Sequence, residues 1–95
     1  MLSEHKVTFI EWLLLETLEE LIDERNDAVS QVDVARRSGL SERVVSYWMA
    51  VMSQIGAVDR GPTADGRAWR VLLTTGGQAV LRECNQLLEE AGLTG

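Results

Sequence analysis

The chain has 95 residues, with nine basic and fifteen acidic side chains and a formal net charge of −6. Its single cysteine and single histidine can form neither a disulfide within the chain nor a Cys/His zinc site, and we expect no metal and no cofactor. This length is typical of one domain with a modest core, and no catalytic pairing stands out, so we expect a protein that is not an enzyme.

The first predicted helix runs from Thr8 to about Arg25. Thr8 and Glu11 form a T-x-x-E capping box at its start. Glutamates interrupt the apolar run, so we expect no signal peptide, no membrane span and a cytoplasmic protein. Apolar residues at helical spacing predict its buried stripe, which consists of Val7, Ile10, Leu14, Leu18, Leu21 and Ile22.

A second apolar patch on this helix needs a partner. Phe9, Trp12 and Leu13 lie outside the stripe, whereas an ordinary surface helix has only one apolar side. Either a neighbouring segment such as the C-terminal helix covers the patch, or the patch is a dimer contact. In the second case Leu87 and Leu88 of the last helix are further candidates for the interface.

Two shorter helices follow in the middle of the chain. Val29 is predicted as a very short strand and Ser30 as the N-cap of a helix over residues 31–38. Ser41 caps a third helix that ends near Ile55. The glycines that end these two helices are Gly39 and Gly56. The predicted buried stripe of the third helix consists of Val45, Trp48, Met49 and Met52.

The period then changes from helix to strand. Residues 57–60 and 67–73 are predicted as two strands, and the GPTADG segment between them has the composition of a hairpin turn. Thr74 caps a last helix from about Thr75 to Ala91. Its apolar side consists of Val80, Leu81, Cys84, Leu87, Leu88 and Ala91.

The order of elements indicates a mainly α (α+β) fold, a winged helix-turn-helix with a β-hairpin wing. A long N-terminal helix and a C-terminal helix flank this unit. We expect a single domain over residues 1–95. Within it, residues 1–27 form the N-terminal helix with a possible dimerisation role, residues 28–74 the helix-turn-helix and wing, and residues 75–95 the C-terminal helix.

From Asp65 onward, DGRAWRVLLTTGG resembles the D-x-R-x-x-x-V-x-L-T-x-x-G wing signature of MarR-type regulators. Its positions are held by Asp65, Arg67, Val71, Leu73, Thr74 and Gly77. The preceding segment looks like the same family's L-x-x-x-G-x-V-x-R run, with Met52 in place of the leucine. The resemblance covers about residues 29–80. It implies a homodimeric, sequence-specific regulator of transcription that binds double-stranded DNA, with Arg67 in the minor groove and Asp65 holding the wing.

MarR-type proteins are usually longer, with further helices that build the dimer and often a pocket for small phenolic ligands. No residue of this chain indicates such an effector site. We expect a dimeric repressor that blocks a roughly two-fold symmetric operator, and these residues give no reason to expect a small-molecule effector.

The acidic charge is concentrated outside the presumed DNA-binding unit. Residues 1–27 hold eight acidic and two basic groups. Residues 28–70 hold six arginines against four acidic residues, so this unit is mildly basic. Phosphates within a Debye length of ~8–10 Å respond mainly to these local charges. Two copies in a dimer would double the small positive charge.

The third helix supplies the candidate base contacts. Arg43 in its first turn can pair with a guanine edge, and Val44 can contact a thymine methyl group. Ser46 and Tyr47 are candidates for phosphate contacts. Ser41 is expected mainly as a cap, although its hydroxyl can also meet a phosphate.

Further candidate phosphate contacts are Arg60 and Arg70 on the strands and Arg36 and Arg37 near the end of the second helix. For the latter pair, favourable placement at a helix C-terminus is an equally good explanation. Trp69 shares its strand side with Val71, which favours packing at the base of the wing.

Two other interpretations remain. An acidic winged helix with an apolar patch is also typical of an adaptor module that binds proteins and never touches DNA. Cys84 lies on the apolar side of the last helix, which favours a core residue, although a redox-sensing role stays open.

Overall fold

The computed structural model describes residues 9–66 and 68–92 of the chain. Their elements follow one another as α1 (Phe9–Arg25), β1 (Val29–Ser30), α2 (Gln31–Ser38), α3 (Glu42–Gln54), β2 (Val58–Pro62), β3 (Trp69–Leu73) and α4 (Thr75–Glu90). This order confirms the predicted winged helix-turn-helix with a hairpin wing between two flanking helices. Thr8 of the predicted capping box and Val7 of the predicted stripe lie outside the described residues.

Helix α1 is the centre of the core. Leu14, Leu18 and Leu21 are at most 1% exposed, as the apolar stripe predicts. Leu15, outside the predicted stripe, is equally buried, and Ile10 and Ile22 are only partly buried. The buried side is wider than predicted because α1 contacts α2, β3 and α4 at once.

The predicted caps form as expected. The Asp33 amide donates to Ser30 Oγ (3.2 Å), and the Val44 amide donates to Ser41 Oγ (3.2 Å). Gly39 ends α2 at φ 82°, a left-handed conformation in which a side chain is strained. These caps determine where α2 stops and α3 starts, and so set the tight turn between the two helices.

The three strands form an antiparallel sheet in the order β1-β3-β2. Val71 of β3 is opposite Val29 on one side and Arg60 on the other. Strand β2 continues to Pro62, two residues beyond its predicted end, because an edge strand tolerates a proline. The turn is closed by the Thr63 amide, which donates to the Ala68 carbonyl (3.0 Å).

Helix α4 packs on α1 through a narrower face than predicted. Leu81 and Cys84 are buried, with 1% and 3% exposure. Val80, Leu87 and Leu88 are half-buried, and Ala91 is exposed beyond the end of the helix. Across the described ranges, no helix has the combination of length and apolar character that a membrane span requires.

Gly77 lets the start of α4 approach the sheet closely. A Cβ at this position would lie 1.9 Å from the Ala57 carbonyl oxygen and 2.8 Å from Leu73 Cδ1. Both distances are far inside van der Waals contact, and the first partner is backbone that cannot move aside. The glycine of the wing signature is therefore a packing requirement of this fold.

We predict that Gly77→Ala lowers the free energy of unfolding by about 2–3 kcal/mol, because the methyl group overpacks the contact of α4 with Ala57, just before β2, and with Leu73 of β3. Gly76→Ala is the matched control, since a Cβ there lies 3.2 Å from its nearest neighbour, the Gly56 carbonyl oxygen. Urea unfolding followed by circular dichroism measures both variants. Equal free energies of unfolding for the two variants would contradict the close-approach explanation.

Candidate nucleic-acid interface

Helix α3 presents one polar side to solvent. Val45, Met49 and Met52 are fully buried, as predicted, which turns Arg43 and Tyr47 outward. Tyr47 is 61% exposed, and its ring packs edge-on against Trp48 at 5.2 Å. Val44 and Ser46 are half-buried beside them. The four candidate contact residues of this helix therefore lie together at its surface.

Arg43 is the unpaired cation of this surface. It forms no hydrogen bond or ion pair with any other residue in the described part of the chain. Ser41, also exposed, is engaged as the cap of α3 through its bond from the Val44 amide. An arginine in the first turn of a helix, next to amide groups that favour anions, can bind a phosphate or a guanine edge.

Arg60 joins four elements at the base of the wing. Its Nε donates to Gln31 Oε1 of α2 (2.7 Å), and its Nη2 donates to Ser46 Oγ of α3 (3.1 Å). The guanidinium carbon also lies 4.2 Å from the centre of the Trp69 ring on β3, a cation–π contact. Every one of these partners is neutral, so none of them compensates the positive charge of Arg60.

Trp69 lies at the base of the wing, as predicted, but it does not enter the core. It remains 43% exposed, and the Arg60 guanidinium covers its ring. The register explains this, because Trp69 pairs with Pro62 at the turn end of the hairpin, two residues from the buried Val71. The indole therefore packs against a cation rather than against the core.

Arg37 is held by α1. It makes two hydrogen bonds to Glu24 (2.8 and 3.0 Å) and an ion pair with Glu20 at 3.6 Å. The hydrogen bond between Arg37 and Glu24 raises the pKa of the guanidinium and lowers the pKa of the carboxyl group. The candidate phosphate contact at Arg37 is thus occupied by carboxylates of the first helix.

Arg36 and Arg25 share one carboxylate. Asp33 accepts a short hydrogen bond from Arg25. It also forms an ion pair with Arg36, whose Nη1 lies 3.2 Å from Asp33 Oδ1. The hydrogen bond from Arg25 is the main reason that the pKa of Asp33 is lowered; Ser30 and the charge of Arg36 act in the same direction. Arg36 remains largely exposed, with 75% of its side chain accessible.

Arg70 lies on the other face of the sheet from Arg60. Its Nη2 is 3.2 Å from Asp27 Oδ1, in the segment between α1 and β1. The exposed Asp59 and Leu72 share this outer face, since strand neighbours point to opposite sides. The structure therefore separates Arg70 from Arg43, Ser46 and Tyr47 rather than grouping them.

The structure describes only part of the tip of the wing, so it bears on only some of the predictions made for it. Arg67 lies outside the described residues. Asp65 accepts a hydrogen bond from Thr63 Oγ1 (2.5 Å), and the Thr63 hydroxyl in turn accepts from the Ala68 amide (3.3 Å). Asp65 thus takes part in the hydrogen bonds that close the turn, which agrees with its expected structural role.

Helix α4 covers part of the apolar patch on α1. Trp12 Nε1 donates to Asn85 Oδ1 across the two helices (2.8 Å), so the indole is half-buried within the chain. Phe9 is 70% exposed and contacts the Trp12 ring at a centroid distance of 5.7 Å. The remaining candidates for a dimer interface are half-buried: Leu13, Leu87 and Leu88.

Cys84 is a core residue. Burial raises the pKa of its thiol, and the nearby charges of Glu83 and Glu11 add to the effect. A raised pKa leaves little thiolate at neutral pH, which disfavours a redox-sensing role.

Two parts of this site could not be found from the sequence. Gln31 is nearly buried and accepts from Arg60, yet a glutamine at the start of a helix carries no local signal of such a role. The carboxylates of Glu20 and Glu24 look like a solvated helix face until the packing of α1 against α2 brings them to Arg37.

We predict that Asp33→Asn lowers the free energy of unfolding by about 0.5–1 kcal/mol at pH 7, because Arg25 and Arg36 lose their shared partner. The folded-state pKa of Asp33 is lowered, so its contribution is present above the unfolded pKa and disappears as the pH falls through the folded value. The difference from wild type should therefore shrink in unfolding experiments as the pH falls below the ordinary aspartate pKa, and vanish once Asp33 is protonated in the folded protein. The exposed Asp59, replaced by Asn, is the control. A deficit that persists in acid would contradict the ionic explanation.

The backbone of this chain is similar to those of several solved structures of transcriptional regulators. A cysteine-to-serine mutant of E. coli MarR complexed with operator DNA matches at a TM-score of 0.77 and 23% identity, over 92% of this chain and 59% of that one. Wild-type E. coli MarR in its apo form matches at a TM-score of 0.81 and 23% identity, over 95% and 63%. BpsR of Bordetella bronchiseptica matches at a TM-score of 0.76 and 21% identity, over 90% and 62%.

No protein-family model and no curated protein matches the sequence. The chain is also shorter than the structures it resembles, since it spans 59–63% of their length. At these sequence identities the likeness concerns the backbone. The chain has the winged helix-turn-helix fold of the MarR-type regulators, with α3 in the place of the second helix of the helix-turn-helix and β2 and β3 forming its wing.

Proposed function

We propose that this chain is a DNA-binding transcriptional regulator that reads double-stranded DNA with α3 in the major groove and the wing in the adjacent minor groove. The observation that carries the proposal is the outer side of α3, where Arg43, unpaired among the described residues, lies beside Val44 and Tyr47. Arginine pairs with guanine edges, and small apolar groups fit thymine methyl groups. A MarR structure with the same fold was solved with operator DNA, which supports this use of the surface.

The described arginines differ in how readily they can contact a phosphate, because only some of them are paired with carboxylates. Within the described residues Arg43 is unpaired, so it offers an uncompensated positive charge to a phosphate. The partners found for Arg60 are neutral, so its charge adds to the positive potential of the same surface. Arg36, Arg37 and Arg70 are paired with carboxylates, and a phosphate has to displace these partners first. The contact charge of one copy is therefore small.

We propose that the protein acts as a homodimer for this reason. Two copies double the number of contacts and place two copies of α3 about one helical turn of DNA apart, on a two-fold symmetric operator. Residues 28–74 would form the DNA-binding part, with α1 and α4 supplying the dimer surface around Phe9. Occupation of a promoter by this dimer would repress transcription.

The ion pairs favour one alternative. An adaptor that binds proteins has no need for free cations, and three arginines of the helix-turn-helix and wing are neutralised by carboxylates. The exposed Phe9 would then contact another protein rather than a second copy. Retention on DNA separates this alternative from the proposed function.

We predict that Arg43→Ala weakens binding to a selected duplex by about 10–100-fold, which corresponds to the loss of one bidentate base contact of about 1–3 kcal/mol. Arg82→Ala is the matched control, since Arg82 is an exposed arginine on α4. Fluorescence anisotropy at several salt concentrations measures both, with a duplex selected by the wild-type protein from source-genome fragments.

The same titration tests the proposed function itself. Binding should weaken steeply as salt rises, because phosphate contacts release counterions. If the wild-type chain retains no genomic fragment even at low salt, the DNA-binding proposal is wrong and the adaptor alternative takes its place.

For the dimer, we predict that Phe9→Glu yields a monomer, because a charge would be buried between two copies of α1. Phe9 is a sharper probe than Trp12, whose indole is already bonded to Asn85 within the chain. Light scattering coupled to size exclusion gives the mass. Tyr47→Glu, a comparable change at an exposed aromatic on the DNA-facing side, should leave the mass unchanged. An unaltered mass for Phe9→Glu would place the interface elsewhere.

A further inference from the structure

Arg60 lies where the wing meets the helix-turn-helix. Each of its two bonded nitrogens has a partner on a different helix, Gln31 at the start of α2 and Ser46 in the middle of α3. Its side chain comes from β2 and its flat face covers Trp69 on β3. A guanidinium is rigid and planar, so these contacts fix the relative positions of the elements that carry them.

The contact with Ser46 has a chemical consequence. A serine hydroxyl has one donor and two acceptor lone pairs, and here an acceptor is used by Arg60 Nη2. Within the described ranges, the Ser46 hydroxyl donates to no other residue. The O–H of Ser46 thus stays available to donate outward, towards a phosphate oxygen on the side of α3 that carries Arg43 and Tyr47.

We propose that Arg60 is a positioning residue of the DNA-binding surface: it sets α3 against the wing and prepares Ser46 to donate to a phosphate, rather than binding DNA itself. The proposal rests on the proposed function, and it replaces the role of phosphate contact predicted for Arg60 from the sequence. Gln31 has a supporting role in the same arrangement: it is only 7% exposed, so it would influence DNA binding solely through its hydrogen bond with Arg60.

Two substitutions separate positioning from direct contact. Arg60→Lys keeps the positive charge but loses the planar group that spans Gln31, Ser46 and Trp69. Gln31→Met keeps the length of the side chain and removes the acceptor of Arg60, with no change of charge. We expect both variants to lose about 10-fold in the ratio of affinities for the selected duplex and a scrambled duplex of equal length. The slope of log K against log salt should stay as in wild type, because the number of phosphate contacts from charged groups is unchanged.

Direct contact gives the opposite pattern. If Arg60 binds a phosphate, Arg60→Lys and Gln31→Met keep the wild-type ratio, while Arg60→Gln weakens binding to both duplexes and reduces the salt slope by about one unit. That result overturns the proposal. Arg82→Lys is the control for a change of cation on another helix.

The experiment also distinguishes the proposal from the proposed function. If wild type binds neither duplex, both are wrong; if wild type discriminates and the two variants match it, only the positioning role of Arg60 is wrong. Titrations are run below the onset of thermal unfolding of each variant, determined by circular dichroism. Amide and indole NMR signals of the free proteins provide a second readout, with Ser46 and Trp69 expected to shift in Gln31→Met while Trp12 does not. Unmoved Ser46 and Trp69 signals overturn the proposal.

Discussion

Burial of the leucine side of α1 determines where the acidic charge of this chain lies. Leu14, Leu18 and Leu21 pack under α2, the sheet and α4, and most of the carboxylates of the same helix are left on its remaining faces. A helix has only one orientation that buries these leucines, and that orientation brings Glu24 to Arg37. The hydrophobic packing of α1 thus sets the electrostatics of the neighbouring helix-turn-helix.

This coupling determines which basic residues have their charge compensated by carboxylates. The arginines outnumber the acidic residues within the helix-turn-helix and wing, but Arg37 and Arg70 are compensated by carboxylates from the segment before β1. Arg60 is different, because its partners are an amide, a hydroxyl and an aromatic ring. The charge available to an anion is therefore concentrated on the side of the molecule formed by α3 and the base of the wing.

The same packing accounts for the apolar patch of α1. Of its residues, Trp12 is satisfied inside the chain by Asn85 of α4, whereas Phe9 stays exposed at the start of the helix. Close contact at the other end of α4 depends on Gly77, where any side chain would meet the Ala57 carbonyl. Helix α4 is thus held at one end by a close backbone approach and further along by a polar bond, which leaves a small part of the patch for a partner.

The sequence by itself determined the elements and their order, because caps such as Ser30 and Ser41, the breaker Gly39 and the stripe around Met49 act over a few residues. It also indicated the outward side of α3, since that side is what remains once the apolar stripe turns inward. Only the tertiary structure decided which of the described arginines have carboxylate partners. Partners such as Glu24 for Arg37 and Gln31 for Arg60 lie 13 and 29 residues away along the chain. No local pattern encodes such distances, and they follow only from the way the helices and the sheet pack around α1.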